Sequence, residues 1–568
     1  MSSDTTPNLS HLNFDDLARR PLPGTQTPIS PTFSPSGRRL YYLFPPDPTS
    51  PNLELHRLDV ETSDDVVVQP PNSSTEAVSR EEALRRERLR VRWEGITDAT
   101  PLAYGDRELL FLNQGGTYLL LDAEEMSPVV DLSGLKWLGF THAPQAGVII
   151  GTDGTALYRI DLANGTLTKL WGKSTSSSVI GVAEYVAQEE LERMEGMWVS
   201  PDGLRIAYEE FDESHIPLYP IVHYERERIE IEEQRYPFVG APNAHVTLWV
   251  RDSDGSNASR LPFGDDSEEY YLGRGCWLSP DDLVYATIRR DQQRYLIWHY
   301  RAQTQQAHII YEETSSTWVN LPRTFQRWND HELLTTSERS GFAHLVVIGS
   351  NGEVTPLTQG ELEVVSVDHV REDRSSIWIT TTSPTPVARR IGILDVKTRT
   401  LHELSDEEGC QSAVVSSDGK TYLHTLSSRT VSPQLSIRHL DRPEWSVPVG
   451  PPPVAASELG LSVPEILTID HDGVTLYGAL YTPHGTSHAP RPLVIYVYGG
   501  PHAQVVTDSW DLTIDLQAQY LLQHGVAVFK LDGRGSYHRG KAFEEAIWRR
   551  FGTIELDDQL HGLDYLIA

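Results

Sequence analysis

Two cysteines, Cys276 and Cys410, are all that the 568 residues contain. They are too few for a disulfide framework and are not spaced as metal ligands, so the chain reads as one for a reducing, cytoplasmic compartment, with no metal or other cofactor. Basic residues are scarce as well. Against 80 Asp and Glu stand 48 Lys and Arg, and the formal net charge of −32 repels nucleic-acid phosphate and anionic lipid alike. No run of about eighteen apolar residues occurs, and the start, MSSDTTPNLSHLNFDDLARRPLPG, lacks the basic-then-apolar pattern of an export signal. Neither a membrane span nor secretion is expected.

What is present is a long chain of ordinary globular composition, 39% hydrophobic and 23% charged, too long for one core and so expected to form two or more domains. After an N-terminal segment (1–29) with a short helix, one theme recurs from about residue 30 to 445: a β-rich run, a polar turn, another β-rich run. The turns include SPSG (34–37), TDG (152–154), SPDG (200–203), SPDD (279–282) and SSDG (416–419). Short strands at regular spacing over some 400 residues favour a β-propeller of seven or eight blades over stacked β-sandwiches, and the domain is assigned to 30–455.

A Pro-rich stretch, 446–464, reads as the boundary. Beyond it EILTID and VTLYGALYTP form a hairpin pattern, PLVIYVYGG and VAVFKLDGRG are apolar strands, and WDLTIDLQAQYLLQHG, KAFEEAIWRRFG and IELDDQLHGLDYLIA are helical. Strands alternating with helices imply a parallel α/β sheet, so the fold class is mainly β with α/β: a propeller followed by an incomplete α/β-hydrolase domain, 456–568. Such a domain needs a G-x-S-x-G elbow to present a nucleophilic serine, and none occurs; Ser536 in DGRGSYHRG lacks the spacing. A sheet cut short would also expose apolar edges on VIYVY and VAVFKL. The expectation is a truncated record, with a split enzyme or a degenerate relative as alternatives.

Three places carry candidate chemistry. YVAQEELERMEG sets Glu189 beside Glu190 on a helix-forming stretch, and a bare Glu-Glu of this kind is ordinarily a solvated face. PLVIYVYGGPH ends in Tyr498 at the carboxyl edge of a strand, where a hydroxyl can donate to an oxyanion or simply pack. SREEALRRERLRVRW is a locally basic run in an acidic chain, and Arg85, Arg86, Arg88 and Arg92 are read as pairing with Glu81, Glu82 and Glu87 on a solvated helix face.

YGGPH, GVAVFKLDGRGSYHRGKAFEEA and GTIELDDQLHGLDYL resemble the start of the catalytic domain of the prolyl oligopeptidase clan. GVAEYVAQEELERMEGMWVSPDG, YEEFDES, QRYPFVGAPNAHVTLWV and ERSGFAHL resemble the propeller of the dipeptidyl peptidase IV family, most of all its cytosolic branch, that of dipeptidyl peptidases eight and nine. The resemblance implies a serine peptidase releasing N-terminal dipeptides, with Pro or Ala second, from peptides with a free N-terminus. It assigns Glu189 and Glu190 to the substrate ammonium, Arg90 to a substrate carbonyl and Tyr498 to the oxyanion, and it allows a homodimer. Two adjacent carboxylates offer several acceptors to three N–H donors, and their mutual repulsion is relieved by the incoming cation. With the triad Ser, Asp and His absent, the chain alone is expected to be inactive. A non-catalytic peptide-binding propeller and another peptidase of the clan remain as alternatives.

Overall fold

The computed structural model describes residues 9–71, 83, 86–88, 92–132, 134–224, 228–265, 267–483 and 490–568. Successive groups of strands build eight antiparallel blades. Blade 1 holds Ile29–Phe33, Arg39–Phe44, Asn52–Asp59 and Asp65–Val68; blade 2 runs from Glu94–Tyr104 to Pro128–Val130, and blade 3 from Gly139–Ala143 to Thr166–Gly172. Blade 4 centres on Arg205–Asp212 paired with His245–Asp252. It also sends out a hairpin, Leu218–His223 against Glu230–Arg235. Blades 5 to 8 are regular four-stranded meanders that end at Ser446–Val449.

Period-two alternation closes the ring. Successive side chains of a strand point to opposite faces, and here each face packs on a different neighbouring blade. Tyr41 joins a core with Leu110 of blade 2, whereas Tyr42 joins one with Leu423 of blade 8. Leu333 packs toward blade 5 and Leu334 toward blade 7. Eight such cores lie between eight sheets, so strands such as Asp282–Arg289 are buried on both faces and read as near-continuous apolar runs. The recurrent turns owe their glycine to geometry: Gly37, Gly203 and Gly419 have φ of 72°, 70° and 66°, each closing a turn onto a serine carbonyl.

The Pro-rich stretch is shorter as a boundary than its composition suggests. Val447 and Val449 alternate into the core between blades 8 and 1, so Ser446–Val449 is the last strand of the ring. The following domain has the strand order Glu465–His471, Val474–Tyr481, Ala527–Asp532, Leu493–Tyr496, and its one parallel pairing among the described residues is between the last two. The expected exposure of VAVFKL is not found, because Ala527–Asp532 is flanked on both sides. VIYVY is the exposed edge, with Val494, Tyr496 and Val497 40 to 50% accessible. The helix expected over WDLTIDLQAQYLLQ is two helices, Trp510–Thr513 and Leu516–Gln523, because the Asp515 carboxylate accepts from the amides of Gln517 and Ala518 and starts a new helix there. The N-terminal helix, Phe14–Ala18, belongs to this second body through Leu9 and Leu12, which pack on Trp510 and Leu516.

Candidate active site

Glu189 and Glu190 close a short helix, Tyr185–Glu190, that leads into the inner part of blade 4. The helix is built on buried charge. The Glu184 carboxylate accepts from the amides of Val186 and Ala187 at 2.7 and 2.8 Å and so starts it. Glu184 leans on Glu209, which is wholly buried and accepts its amide at 3.0 Å. Glu209 in turn pairs with Arg193 at 2.7 Å, and Arg193 also donates to the Leu272 carbonyl of blade 5. After the pair the chain reverses sharply: Leu191 ends the helix, Glu192 takes φ of 50°, and Arg274 holds the Leu191 carbonyl at 2.8 Å. Gly196 completes the reversal, because a Cβ there would sit 2.5 Å from the backbone of Val182.

Arg88 of the basic run meets this helix and is not on the solvated face expected of it, whereas Glu87 and Arg92 are exposed and Glu81, Glu82 and Arg85 lie outside the described residues. Arg88 is only 14% exposed; its Nε lies 3.4 Å from Glu189, its Nη1 donates to Gln188 at 2.5 Å, and its guanidinium covers the Tyr185 ring at 5.0 Å. Arg88 therefore turns inward, because an unpaired carboxylate beside an aromatic face attracts a planar cation more than a solvent-facing Glu does. Arg90 lies outside the described residues. Glu190 has no ion-pair partner among them.

Tyr498 follows strand Leu493–Tyr496 and is 61% exposed. Gly499, with φ of 77°, turns the chain away beneath it. The return loop is held by Asp532, whose buried carboxylate accepts from the amides of Val505 and Val506 at 2.9 Å each. His502, on the same loop, bonds Asn320 of the ring at 2.8 Å. Glu189, Glu190, Tyr498 and His502 line one cavity of about 420 Å³ between ring and α/β body, together with Arg274, Asn320, Arg323 and Tyr537. Sequence reasoning missed Arg88, Arg274, Asn320 and Arg323. Arg88 lay in a run already singled out; the other three sit in stretches with no motif to mark them.

Ser536 is not a nucleophile in waiting: it is buried and its hydroxyl donates to the Gly533 carbonyl at 2.6 Å. His471, Asp472 and Asp557 bring potential metal-ligand atoms within 4.8 Å of one another. The Arg534 guanidinium lies 3.6 and 3.7 Å from these two carboxylates and already supplies positive charge there. The two thiols are free, and burial pushes Cys276 up to about 12 and Cys410 to about 11, so neither is a thiolate near neutrality.

Several carboxyls around the site are raised. Burial and the Glu209 charge push Glu184 up to about 7, burial and the nearby Glu338 charge push Glu544 to about 7, and burial pushes Asp532 to about 6. Each holds its proton in the folded chain at pH values where the unfolded chain has already ionised it. The folded state thus binds more protons, and stability falls as pH rises from about 4.5 through 7. The Glu544 contribution is on the order of 3 kcal/mol. Denaturation midpoints measured at pH 5 and 7.5 should differ in this sense, and E544Q should shrink the difference; equal midpoints at the two pH values would contradict it.

The comparisons with known proteins agree with this architecture. The family described as "Dipeptidyl peptidase IV (DPP IV) N-terminal region" matches residues 139–433, more than half of the chain, and "Prolyl oligopeptidase family" matches 512–568. The chain belongs to the dipeptidyl peptidase IV family. It is 25% identical to dipeptidyl peptidase 8 of Homo sapiens over 606 residues, covering 86% of this chain and 66% of that protein. To dipeptidyl peptidase 4 of Trichophyton tonsurans it is also 25% identical, over 503 residues, covering 79% and 61%. The chain thus spans just under two thirds of the length of these relatives. Among solved structures, dipeptidyl peptidase 4 of Porphyromonas gingivalis superposes with a TM-score of 0.75 at 18% identity, over 95% of this chain and 76% of that one.

Proposed function

We propose that this chain is the peptide-capturing part of a serine-type dipeptidyl aminopeptidase, one that grips the free amino end of a peptide and presents the second peptide bond for cleavage. The observation that carries the reading is that Glu189, Glu190 and Tyr498, from two different domains, line one cavity. A peptide ammonium has three N–H donors, and a pair of adjacent carboxylates gives them charge-assisted acceptors. Arg88 restrains Glu189 from one side and leaves Glu190 turned toward the cavity. From that anchor two extended residues reach about 7 Å, and the Tyr498 hydroxyl would stabilise the oxyanion formed at the carbonyl it meets.

Among the described residues no serine lines this cavity, so its residues account for the capture and orientation of the peptide. Pro or Ala at the second position and a reducing compartment, which suits the two free thiols, complete the proposal. The test is binding. A peptide such as Ala-Pro-Ala with a free N-terminus should bind at least 30-fold more tightly by calorimetry than its N-acetylated form. Equal affinities, or a preference for the blocked peptide, would rule the reading out.

A further inference from the structure

Resting on that reading, we infer that Arg323 and Asn320 are positioning residues that fix the span between the amino-end anchor and Tyr498, and with it the register of cleavage. Both lie on the segment 318–323, which leads from blade 5 into blade 6. At one end of it Arg323 makes a two-pronged bond to Glu192, Nε to Oε2 at 2.9 Å and Nη2 to Oε1 at 2.7 Å. Glu192 is the second residue after Glu190 and sits at the left-handed turn that ends the Glu-pair helix. The fork therefore grips the anchor where its direction is set.

The other end of the segment grips the α/β body. Asn320 uses its whole amide: Oδ1 accepts from Trp318 Nε1 at 2.9 Å and faces His502 Nε2 at 2.8 Å, while Nδ2 donates to Glu338 at 3.0 Å and to Glu544 at 2.8 Å. Beside it Trp318 packs with Ile547 and Ile554 and accepts from Lys541 Nζ at its carbonyl, at 2.7 Å. His502 is four residues past Tyr498 on the same loop. One six-residue stretch is thus bonded to the turn behind Glu190 and to the loop that carries Tyr498, and it forms part of the wall between them.

An extended peptide advances about 3.5 Å per residue, so a shift of that size in either bond partner changes which carbonyl meets Tyr498. The Arg323–Glu192 pair is well exposed, 57% and 61%, and such pairs add little to stability. Its planar fork supplies geometry instead. A role in folding and a role in register therefore predict different results.

The experiment uses the whole chain and free-amino peptides of six residues carrying benzoylphenylalanine at position 2, 3 or 4, with the crosslinked protein residue located by mass spectrometry. In the parent chain one position should label the stretch 498–502. In R323Q at least two positions should label it in comparable yield, with affinity for Ala-Pro-Ala lowered about 10-fold and the melting temperature unchanged. The charge swap E192R/R323E should restore both the single position and the affinity. An unchanged labelling pattern in R323Q overturns the inference, as does a swap that fails to rescue, which would mean that Arg323 touches the peptide itself. If instead the parent chain binds free and acetylated Ala-Pro-Ala alike, the proposed function has failed, and this is seen before any variant is made.

Discussion

The double variant E189Q/E190Q is expected to lose at least 100-fold in affinity for a peptide with a free N-terminus while keeping its fold. Hydrogen bonds to a charged group contribute about 1.5–3 kcal/mol each, and removing both charges forfeits at least two of them, about 3–6 kcal/mol in all. Every 1.4 kcal/mol is a factor of ten in affinity. The fold should survive because both side chains are exposed on the cavity and neither caps the helix, a task that falls to Glu184. The single variants separate two effects. E190Q removes only the attraction for ammonium, whereas E189Q also deprives Arg88 of its carboxylate partner at 3.4 Å. Calorimetry with Ala-Pro-Ala reads all three. A loss below threefold in the double variant would mean that the ammonium is held elsewhere.

The second large effect is on stability. Arg193→Met should destabilise the chain by about 3–5 kcal/mol, because it leaves the Glu209 carboxylate, fully buried, without its cation. Burial already raises the Glu209 carboxyl, and Arg193 is the neighbour that opposes this. Removing the arginine also frees the Leu272 carbonyl, which accepts from its Nε and Nη2 at 3.2 and 3.1 Å. The companion variant R193M/E209Q should recover much of the loss, since a neutral amide can still accept from the Glu184 amide. Urea denaturation followed by tryptophan fluorescence compares the three chains. A midpoint for R193M within error of the parent would show that the ion pair is not the scaffold of the Glu-pair helix. The two variants also divide the site into parts: Glu189 and Glu190 act on the ligand, Arg193 and Glu209 on the helix that presents them.

Much of the fold was legible because it depends on local, periodic features. Alternating apolar residues and Gly-closed turns announce strands wherever they occur, and Tyr41/Tyr42 or Leu333/Leu334 show why the alternation goes unbroken by polar residues: both faces are interior. The motifs around them singled out the Glu pair and Tyr498, which the fold brings to one cavity. Arg88 was misread for a physical reason. A solvated helix face and an inward arginine look alike in a run of Arg and Glu, and only the position of Glu189, 101 residues away, distinguishes them. Asn320 and Arg323 left no signal at all, since a loop residue with partners in two domains has neither periodicity nor spacing. The split of the expected helix at Asp515 is of the same kind: capping there competes with continuation, and the Lys530 ammonium, 2.7 Å from the Asp515 carboxylate, comes from a strand the local pattern does not include.

Blades 1 and 2 are stitched by a short parallel pairing, Asn52 with Glu94 and Leu53 with Gly95, and the Glu94 amide also bonds the Pro51 carbonyl at 2.8 Å. Gly95 is the residue on which this seam turns: a Cβ there would sit 2.7 Å from the Leu53 carbonyl, so any larger residue at 95 would unpick the join between the first two sheets of the ring.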